Sequence, residues 1–353
     1  MRVLVYPADL AGCGYYRLIF AASHLKSLGH DIIIEWPGKG TGFEIYLDEH
    51  NNLLDFNLPH EGIDVLVMQR VSHDWHIQAI PLIQSRGIAV VIDMDDDLSS
   101  IHRHNVAYWN YHPGNKSTPY SWKNTEQICR DAAFVTVSTK NLMKVYAKHG
   151  RGQVIDNYVP ERYLDIQPVH ENEPVFGWAG TVQSHPTDLQ VCGRAVQTLI
   201  DQGHKFRVIG PRNKIKDHLR LSQEPDHTGV VLLQNWPTVI SQLNVGMAPL
   251  EPSLFNSSKS RLKVLELNSV GVPYVASPRQ EYRKYHQECG AGILADTPKE
   301  WVKGISELMT NEARRKELSE QGRAYVDTQT IEKNSWRWWE AWTRAYEYQR
   351  TKK

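Results

Sequence analysis

Val3-Leu4-Val5-Tyr6, a loop carrying Gly12-Cys13-Gly14, a helical pattern over 15–28 closed by Gly29, then Asp31-Ile32-Ile33-Ile34-Glu35: the chain opens as strand, loop, helix, strand. Short, continuous apolar runs rich in β-branched residues are what strands buried on both faces look like, and such strands belong to parallel sheets. The alternation returns at Val65-Leu66-Val67-Met68, a helix over 77–86, Gly87 and Ile88-Ala89-Val90-Val91-Ile92. Phe134-Val135-Thr136-Val137 is a further strand, Ser138-Thr139 can cap a helix over 140–148, and Val154-Ile155 follows. Strand–helix–strand order with glycine at helix ends implies right-handed parallel crossovers.

Around Gln167-Pro168-Val169-His170-Glu171-Asn172-Glu173-Pro174 the pattern breaks into a polar, proline-bounded linker. It then begins afresh. Val175-Phe176-Gly177-Trp178 leads to a helix over 188–202, strand 206–210, strand 230–233 and a short helix near 237–243. Strand 245–248, a helix over 259–270 closed by Gly271, and strand 273–276 complete the second series. Helical stretches over 298–309 and 311–325 precede a final aromatic helix over 331–348, whose apolar positions cover more than one face. The expectation is an α/β protein of two Rossmann-like domains, 1–168 and 169–330, with an interdomain cleft. The segment 331–353 would form a helix bridging the domains and packing back toward the first. In such sheets ligands bind beyond the carboxyl ends of the strands.

Composition agrees with a folded globular protein. The 353 residues are too many for one ordinary core, 41% are hydrophobic and 23% charged. Lys plus Arg and Asp plus Glu number 40 each, so the formal net charge is zero, which argues against binding nucleic acid through a global field. Cys13, Cys129, Cys192 and Cys289 are scattered, with neither a zinc framework nor a disulfide scaffold, and fit a reducing cytoplasm. The N-terminal apolar run stops at Pro7, too short for a signal peptide, and no stretch approaches the ~20 apolar residues that span a bilayer.

The strongest chemical signal is Pro249-Leu250-Glu251-Pro252-Ser253-Leu254-Phe255-Asn256-Ser257-Ser258-Lys259-Ser260-Arg261-Leu262-Lys263-Val264-Leu265-Glu266, then Gly271-Val272-Pro273. Ser257 and Ser258 sit where they could cap a helix whose first turns carry Lys259, Arg261 and Lys263. A helix N-terminus offers free N–H groups and partial positive charge to a phosphate. Lys259, Lys263 and Glu266 would share a face, lysines on a diphosphate and the carboxylate on ribose hydroxyls. A solvated amphipathic helix with an ordinary Lys–Glu pair is the competing reading.

These residues resemble something known. Asn256-x-x-Lys259-Ser260-x-x-Lys263-x-x-Glu266 with Gly271-Val272-Pro273 is similar to the donor segment of retaining GT-B glycosyltransferases, the family-four-like, group 1 enzymes. Gly177-Trp178-Ala179-Gly180-Thr181, with His185 and Asp188-Leu189, resembles the opening strand and phosphate loop of their C-terminal domain. Val135-Thr136-Val137-Ser138-Thr139-x-x-Leu142 and Asn157 resemble the end of their N-terminal domain. One departure stands out: the family often has a first glutamate where this chain has Ser258.

The resemblance implies a donor site of Gly12, Gly14, Arg17, Gly180, Thr181, Asn235, Trp236, Lys259, Ser260, Lys263 and Glu266. Arg17 would reach across the cleft, and Trp236, after a strand end with Asn235, would stack on the base. Gly210-Pro211-Arg212 would line the same pocket. The absence of a full Gly-x-Gly-x-x-Gly, with Arg at position 17, counts against a dinucleotide fingerprint.

Asp93-Met94-Asp95-Asp96-Asp97 follows a strand and so faces the ligand side. A divalent cation, acceptor hydroxyls or a helix cap compete for it. With lysines to neutralise phosphate, no metal and no cofactor are expected, and Asp95 and Asp96 join Lys259 and Lys263 as catalytic candidates. His102, His104, Tyr108 and Trp109 open an aromatic segment over 102–122 that reads as acceptor-side. The expected function is metal-independent, retaining transfer of a hexose or pentose from a UDP- or GDP-sugar to an acceptor hydroxyl on a glycan, protein or hydroxylated DNA base. An epimerase of the same fold and a silent binding subunit are the alternatives. The sequence leaves the oligomeric state open.

Overall fold

Val3, Leu4 and Val5 have no exposed surface, and neither do Val65–Val67 nor Ala89–Ile92, because each run lies inside a parallel sheet covered on both faces. The structure, a computed structural model, describes residues 1–37, 43–50, 52–112, 121–168 and 173–352. The expected linker and the aromatic segment fall partly outside them. Two compact units are present: Met1–Arg103, Ala107–Asn157 and Ile331–Lys353 form the first, His104–Val106 and Tyr158–Thr330 the second. The chain passes to the second unit after Asn157, ahead of the polar stretch near Gln167.

The first unit holds β1 (Val3–Tyr6), β2 (Ile32–Ile34), β3 (Glu44–Leu47), β4 (Leu53–Asn57), β5 (Val65–Gln69), β6 (Ala89–Met94), β7 (Phe134–Val137) and β8 (Gly152–Val154). Six of them make a parallel sheet in the order β2-β1-β5-β6-β7-β8. Strands β3 and β4 form an antiparallel hairpin that the sequence pattern did not signal. Of their residues only Phe56 is buried, so neither strand has the unbroken buried run that marks the central strands.

The expected first helix is one helical run with an internal π turn, Tyr15–Ile19, continuing as Phe20–Ser27. Tyr16, Arg17, Leu18 and Ile19 are all buried, which needs cover on more than one side. The helix Trp336–Thr351 supplies it, packing on β5, β6, β7 and Phe20–Ser27. Trp338 and Trp342 are wholly buried there, each worth roughly 4–6 kcal/mol of transfer at about 25 cal/mol/Å². The C-terminal helix is thus part of the first unit, and the chain crosses between units again after Thr330.

The second unit contains β9 (Val175–Ala179), β10 (Lys205–Ile209), β11 (Asp226–Thr228), β12 (Val245–Ala248), β13 (Tyr274–Ala276) and β14 (Gly292–Leu294). They form a parallel sheet ordered β11-β10-β9-β12-β13-β14. Phe176, Trp178, Val208, Val245, Met247 and Trp301 anchor its core.

Two sequence expectations are corrected here. The run 230–233 is no strand: Val230 and Leu232 are 78% and 67% exposed, and the edge strand is the polar Asp226-His227-Thr228. The helix expected from 259 is Leu262–Ser269, preceded by a separate short helix, Leu254–Ser257, that Ser253 caps. Lys259, Ser260 and Arg261 therefore lie ahead of the helix, and neither Ser257 nor Ser258 caps it. In each sheet the winding direction reverses once, between β1 and β5 in the first and between β9 and β12 in the second. Loops leaving the carboxyl ends of those four strands are where such folds hold ligands.

Candidate functional site

In the second unit the chain leaves β9 at Gly180, whose N–H bonds Ile209 O at 2.9 Å. Gly210 crosses above it so closely that a Cβ there would lie 2.1 Å from Gly180 O, and its φ of +134° favours glycine as well. The bare Gly180 backbone leaves room for Lys263: a Cβ on Gly180 would come within 3.0 Å of the Lys263 Nζ. The Lys263 ammonium also stands 5.1 Å from the Trp178 ring centroid. Thr181 turns the loop by accepting the Gln183 N–H at 3.2 Å.

Asp188 organises what surrounds this lysine. Its carboxylate takes the Glu251 N–H at 2.9 Å, the Asn256 amide at 2.6 Å and the His185 Nδ1 at 2.7 Å. Thr187 donates to the Glu251 carboxylate. Three segments from the ends of β9 and β12 are thereby tied together at the switch point. Glu266, one turn beyond Lys263, is buried at 8% exposure and acts on its charge.

Lys259 reaches the same place although it precedes the helix. Its Nζ lies 4.5 Å from the Phe255 ring centroid, and its charge is felt by both His185 and Lys263. Burial pushes Lys263 down from the ordinary lysine range, with Lys259 adding to the effect and Asp188 and Glu266 opposing it. Burial and Lys259 likewise lower His185 against the pull of Asp188. Two lysine charges in one partly desolvated spot are unfavourable until an anion arrives. Two cations in such a spot have the charge and the partial desolvation that suit a polyanion.

Arg261, the remaining cation of this motif, plays another part. It is 4% exposed, paired with Glu288 at 2.5 Å and bonded to Gln329 at 2.9 Å, which holds the turn before the helix. The Ser260 hydroxyl accepts the Leu262 N–H at 3.5 Å. Ser258, where a glutamate was expected, is 3% exposed. Asn235 is exposed on a turn beyond the carboxyl end of the edge strand β11, and Trp236 begins the next short helix half-buried. Arg212 is also exposed and points toward His227. Tyr282, which the sequence reading passed over, is buried beside Asp188 and Glu266.

In the first unit the Gly12-Cys13-Gly14 loop is fixed by its neighbours. Asp9 accepts the Ala11 and Gly14 N–H groups, and a Cβ on Gly14 would fall 1.9 Å from Asp9 O. Gln69, at the end of β5, accepts from Ala8 N–H and donates to Cys13 O, joining the two switch-point loops. Burial pushes the Cys13 thiol up, with Asp95 adding to the rise, so a thiolate nucleophile is disfavoured and the residue packs.

Arg17 departs from its expected role. It is fully buried and faces inward, its guanidinium on both Asp93 oxygens at 2.9 and 3.1 Å, Ile155 O at 2.6 Å and Asn157 Oδ1 at 2.8 Å. The π turn places it under Trp338, 5.8 Å from a ring centroid. The acidic run is likewise dispersed. Asp93 serves Arg17, Asp97 caps the turn Leu98–Ser100, and Asp95 and Asp96 share the Arg70 guanidinium. Arg70 was missed in the sequence. The only signal was its position, directly after β5, where it adopts a left-handed φ of +54°. Among the described residues no three His, Cys, Asp or Glu side chains converge as a metal ion would require.

The acceptor-side candidates are divided between the two units. His102 belongs to the first unit, while His104 goes with the second, where Asn105 and Val106 bond Ser184 O and Gln183 O. Tyr108 and Trp109 lie edge to face at 5.6 Å on a short helix, with Trp109 62% exposed.

Two doubly wound units in succession match the GT-B fold, and solved structures agree. A glycosyltransferase from Rickettsia africae ESF-5 superposes with a TM-score of 0.67 at 13% identity, covering 98% of each chain. Sucrose-phosphate synthase from Thermosynechococcus elongatus gives 0.65 at 10% identity over 98% of this chain and 100% of its own. The Anabaena protein HepE, solved with UDP and glucose, gives 0.65 at 12% identity over 97% and 99%. Residues 173–311, which contain the lysine site, match the family model Glycosyl transferases group 1. The resemblance to GT-B glycosyltransferases drawn from the motifs therefore holds. No curated protein matches the sequence. No described helix is long and apolar enough to cross a membrane.

Proposed function

We propose that this chain is a glycosyltransferase that moves a hexose from a nucleoside diphosphate sugar to an acceptor hydroxyl, with retention of configuration and without a metal. The observation that carries the reading is Lys263 beside the Gly180 backbone at the switch point of the second sheet, with Lys259 near enough to act on its charge, inside the segment that matches the group 1 family. The lysines would neutralise the departing diphosphate, the electrostatic stabilisation that matters most when a sugar–phosphate bond breaks. Glu266 would accept from ribose hydroxyls. Trp236 and Asn235, on the turn and short helix between β11 and β12, would meet the base. UDP is the first nucleotide to test, because HepE is solved with it.

Asp95 and Asp96, oriented by Arg70, together with Gly12 and Gly14 are the candidates for the sugar and acceptor, and the acceptor itself is a glycan, protein or modified-base hydroxyl. One observation favours a second reading, a silent binding subunit: Ser258 stands where the related enzymes often have a glutamate. A thermal-shift panel of UDP-, GDP-, ADP- and TDP-glucose tests the first reading, since a bound donor stabilises the native state by mass action. No shift with any of them at millimolar concentration refutes it. Donor hydrolysis that Lys263→Ala abolishes refutes the silent subunit.

A further inference from the structure

Close to the lysine pair lies an imidazole, His185, whose ordinary pKa is near neutrality. Its Nδ1 is bonded to Asp188 Oδ2 at 2.7 Å, and 21% of its side chain is exposed, so a ligand can reach the ring. With Nδ1–H given to Asp188, the neutral ring presents the Nε2 lone pair, and protonation there would turn an acceptor into a cationic donor. We propose that His185 is a third, switchable cation of the diphosphate site: neutral in the empty protein, it takes a proton from solvent onto Nε2 when a nucleoside diphosphate sugar binds, which couples donor affinity to pH. This rests on the donor-site reading above.

The charges around the ring set the direction. On its own turn it faces Asp188. From the segment before the helix it faces Lys259, and from the helix Leu262–Ser269 it feels Lys263. Glu251, at the end of β12, is tied to the same turn through Thr187, and the neutral Tyr282 phenol sits beside Asp188. In the empty site the two lysines and burial oppose a charge on His185, and Asp188 only partly offsets them. A diphosphate ester adds two negative charges and reverses the field of the lysines. The liganded protein then binds more protons than the free one. Affinity must therefore rise as pH falls through the higher, ligand-bound pKa, and level off below the lower, free value. Each unit of separation between the two is worth about tenfold in affinity.

The experiment uses the four nucleoside diphosphate glucoses. Their diphosphate is esterified at both ends and does not titrate near neutrality, whereas the terminal phosphate of UDP would. Calorimetry in two buffers of different ionisation enthalpy counts protons taken up, and affinity is followed from about pH 6 to about pH 8, around the ordinary histidine value. The full-length protein should take up a fraction of a proton and lose up to about tenfold in affinity across that range. His185→Gln should bind more weakly, take up less and show a flatter profile. Imidazole NMR of the unsubstituted protein, with and without ligand, reads the same equilibrium without a variant. An unmoved His185 midpoint, or equal proton uptake in His185→Gln, overturns the inference and leaves the donor site standing. Binding of none of the four glucoses overturns the donor-site reading and the inference with it.

Discussion

Arg17→Met separates a structural arginine from a ligand-binding one. The side chain is 0% exposed and makes four hydrogen bonds, two of them to the equally buried Asp93. Methionine fills much of the volume but leaves the Asp93 charge, Ile155 O and Asn157 Oδ1 with fewer partners. Asp93 retains the Thr136 hydroxyl at 2.6 Å, which cannot replace a cation. Breaking a buried pair from one side costs about 3–5 kcal/mol. A unit of this size melts about 2–4 °C lower per kcal/mol, so the first unit should unfold roughly 6–20 °C earlier. The assay is differential scanning calorimetry, which resolves units that do not melt together. Arg17→Met/Asp93→Asn, which removes the orphaned charge, should recover a substantial part of the loss. A shift of less than about 2 °C, or a double variant no better than the single, would refute the argument. So would weakened donor binding with unchanged stability, the signature of an arginine that meets the ligand.

Gly210→Ala places a methyl 2.1 Å from Gly180 O, so the loop above Lys263 must move; a stability loss of about 1–3 kcal/mol and weaker donor binding should show in urea titration and calorimetry. Lys263→Met should leave the fold intact, since it relieves a desolvated charge, and weaken UDP-glucose binding by at least about tenfold, the value of one charge-assisted contact of ~1.5–3 kcal/mol. Burial raises the Asp188 carboxyl, and His185, the Glu251 N–H and the Asn256 amide more than offset it, holding it below the ordinary range. A folded pKa depressed in this way gives stability that is present above about pH 4 and lost as pH falls through the folded value. Acid titration of the melting temperature should accordingly fall more steeply below about pH 4 in the unsubstituted protein than in Asp188→Asn.

The strands that decide the topology were legible because their inner residues are β-branched and unbroken: Val3-Leu4-Val5, Val65-Leu66-Val67 and Phe134-Val135-Thr136-Val137 fall where the pattern put them. Edge elements were not. Asp226-His227-Thr228 has no apolar signature because little covers it, and the neighbouring Val230-Val231-Leu232-Leu233 looked like a buried strand while standing in solvent. Among site residues, spacing found the lysines but misplaced the helix start, since what fixes it is the Arg261–Glu288 pair, between positions far apart in sequence. Arg17 and Asp93 were each visible as charges near strand ends. Their mutual neutralisation was not, because a partner 76 residues away leaves no local trace. The same holds for Arg70 with Asp95 and Asp96.

The burial of Trp338 and Trp342 against the first sheet has a consequence for biosynthesis. The ribosome releases β1 to β8 first, yet the surface those strands offer to the aromatic helix stays open until the whole second unit has followed. The second unit, contained in one nearly continuous stretch, can close while it is being made, so the part synthesised earlier finishes later. During that interval an uncovered apolar sheet face is what chaperones bind and what aggregates. A nonsense codon between Val154 and Trp336 would strand the first unit in that open condition, even though every residue of its sheet had been made.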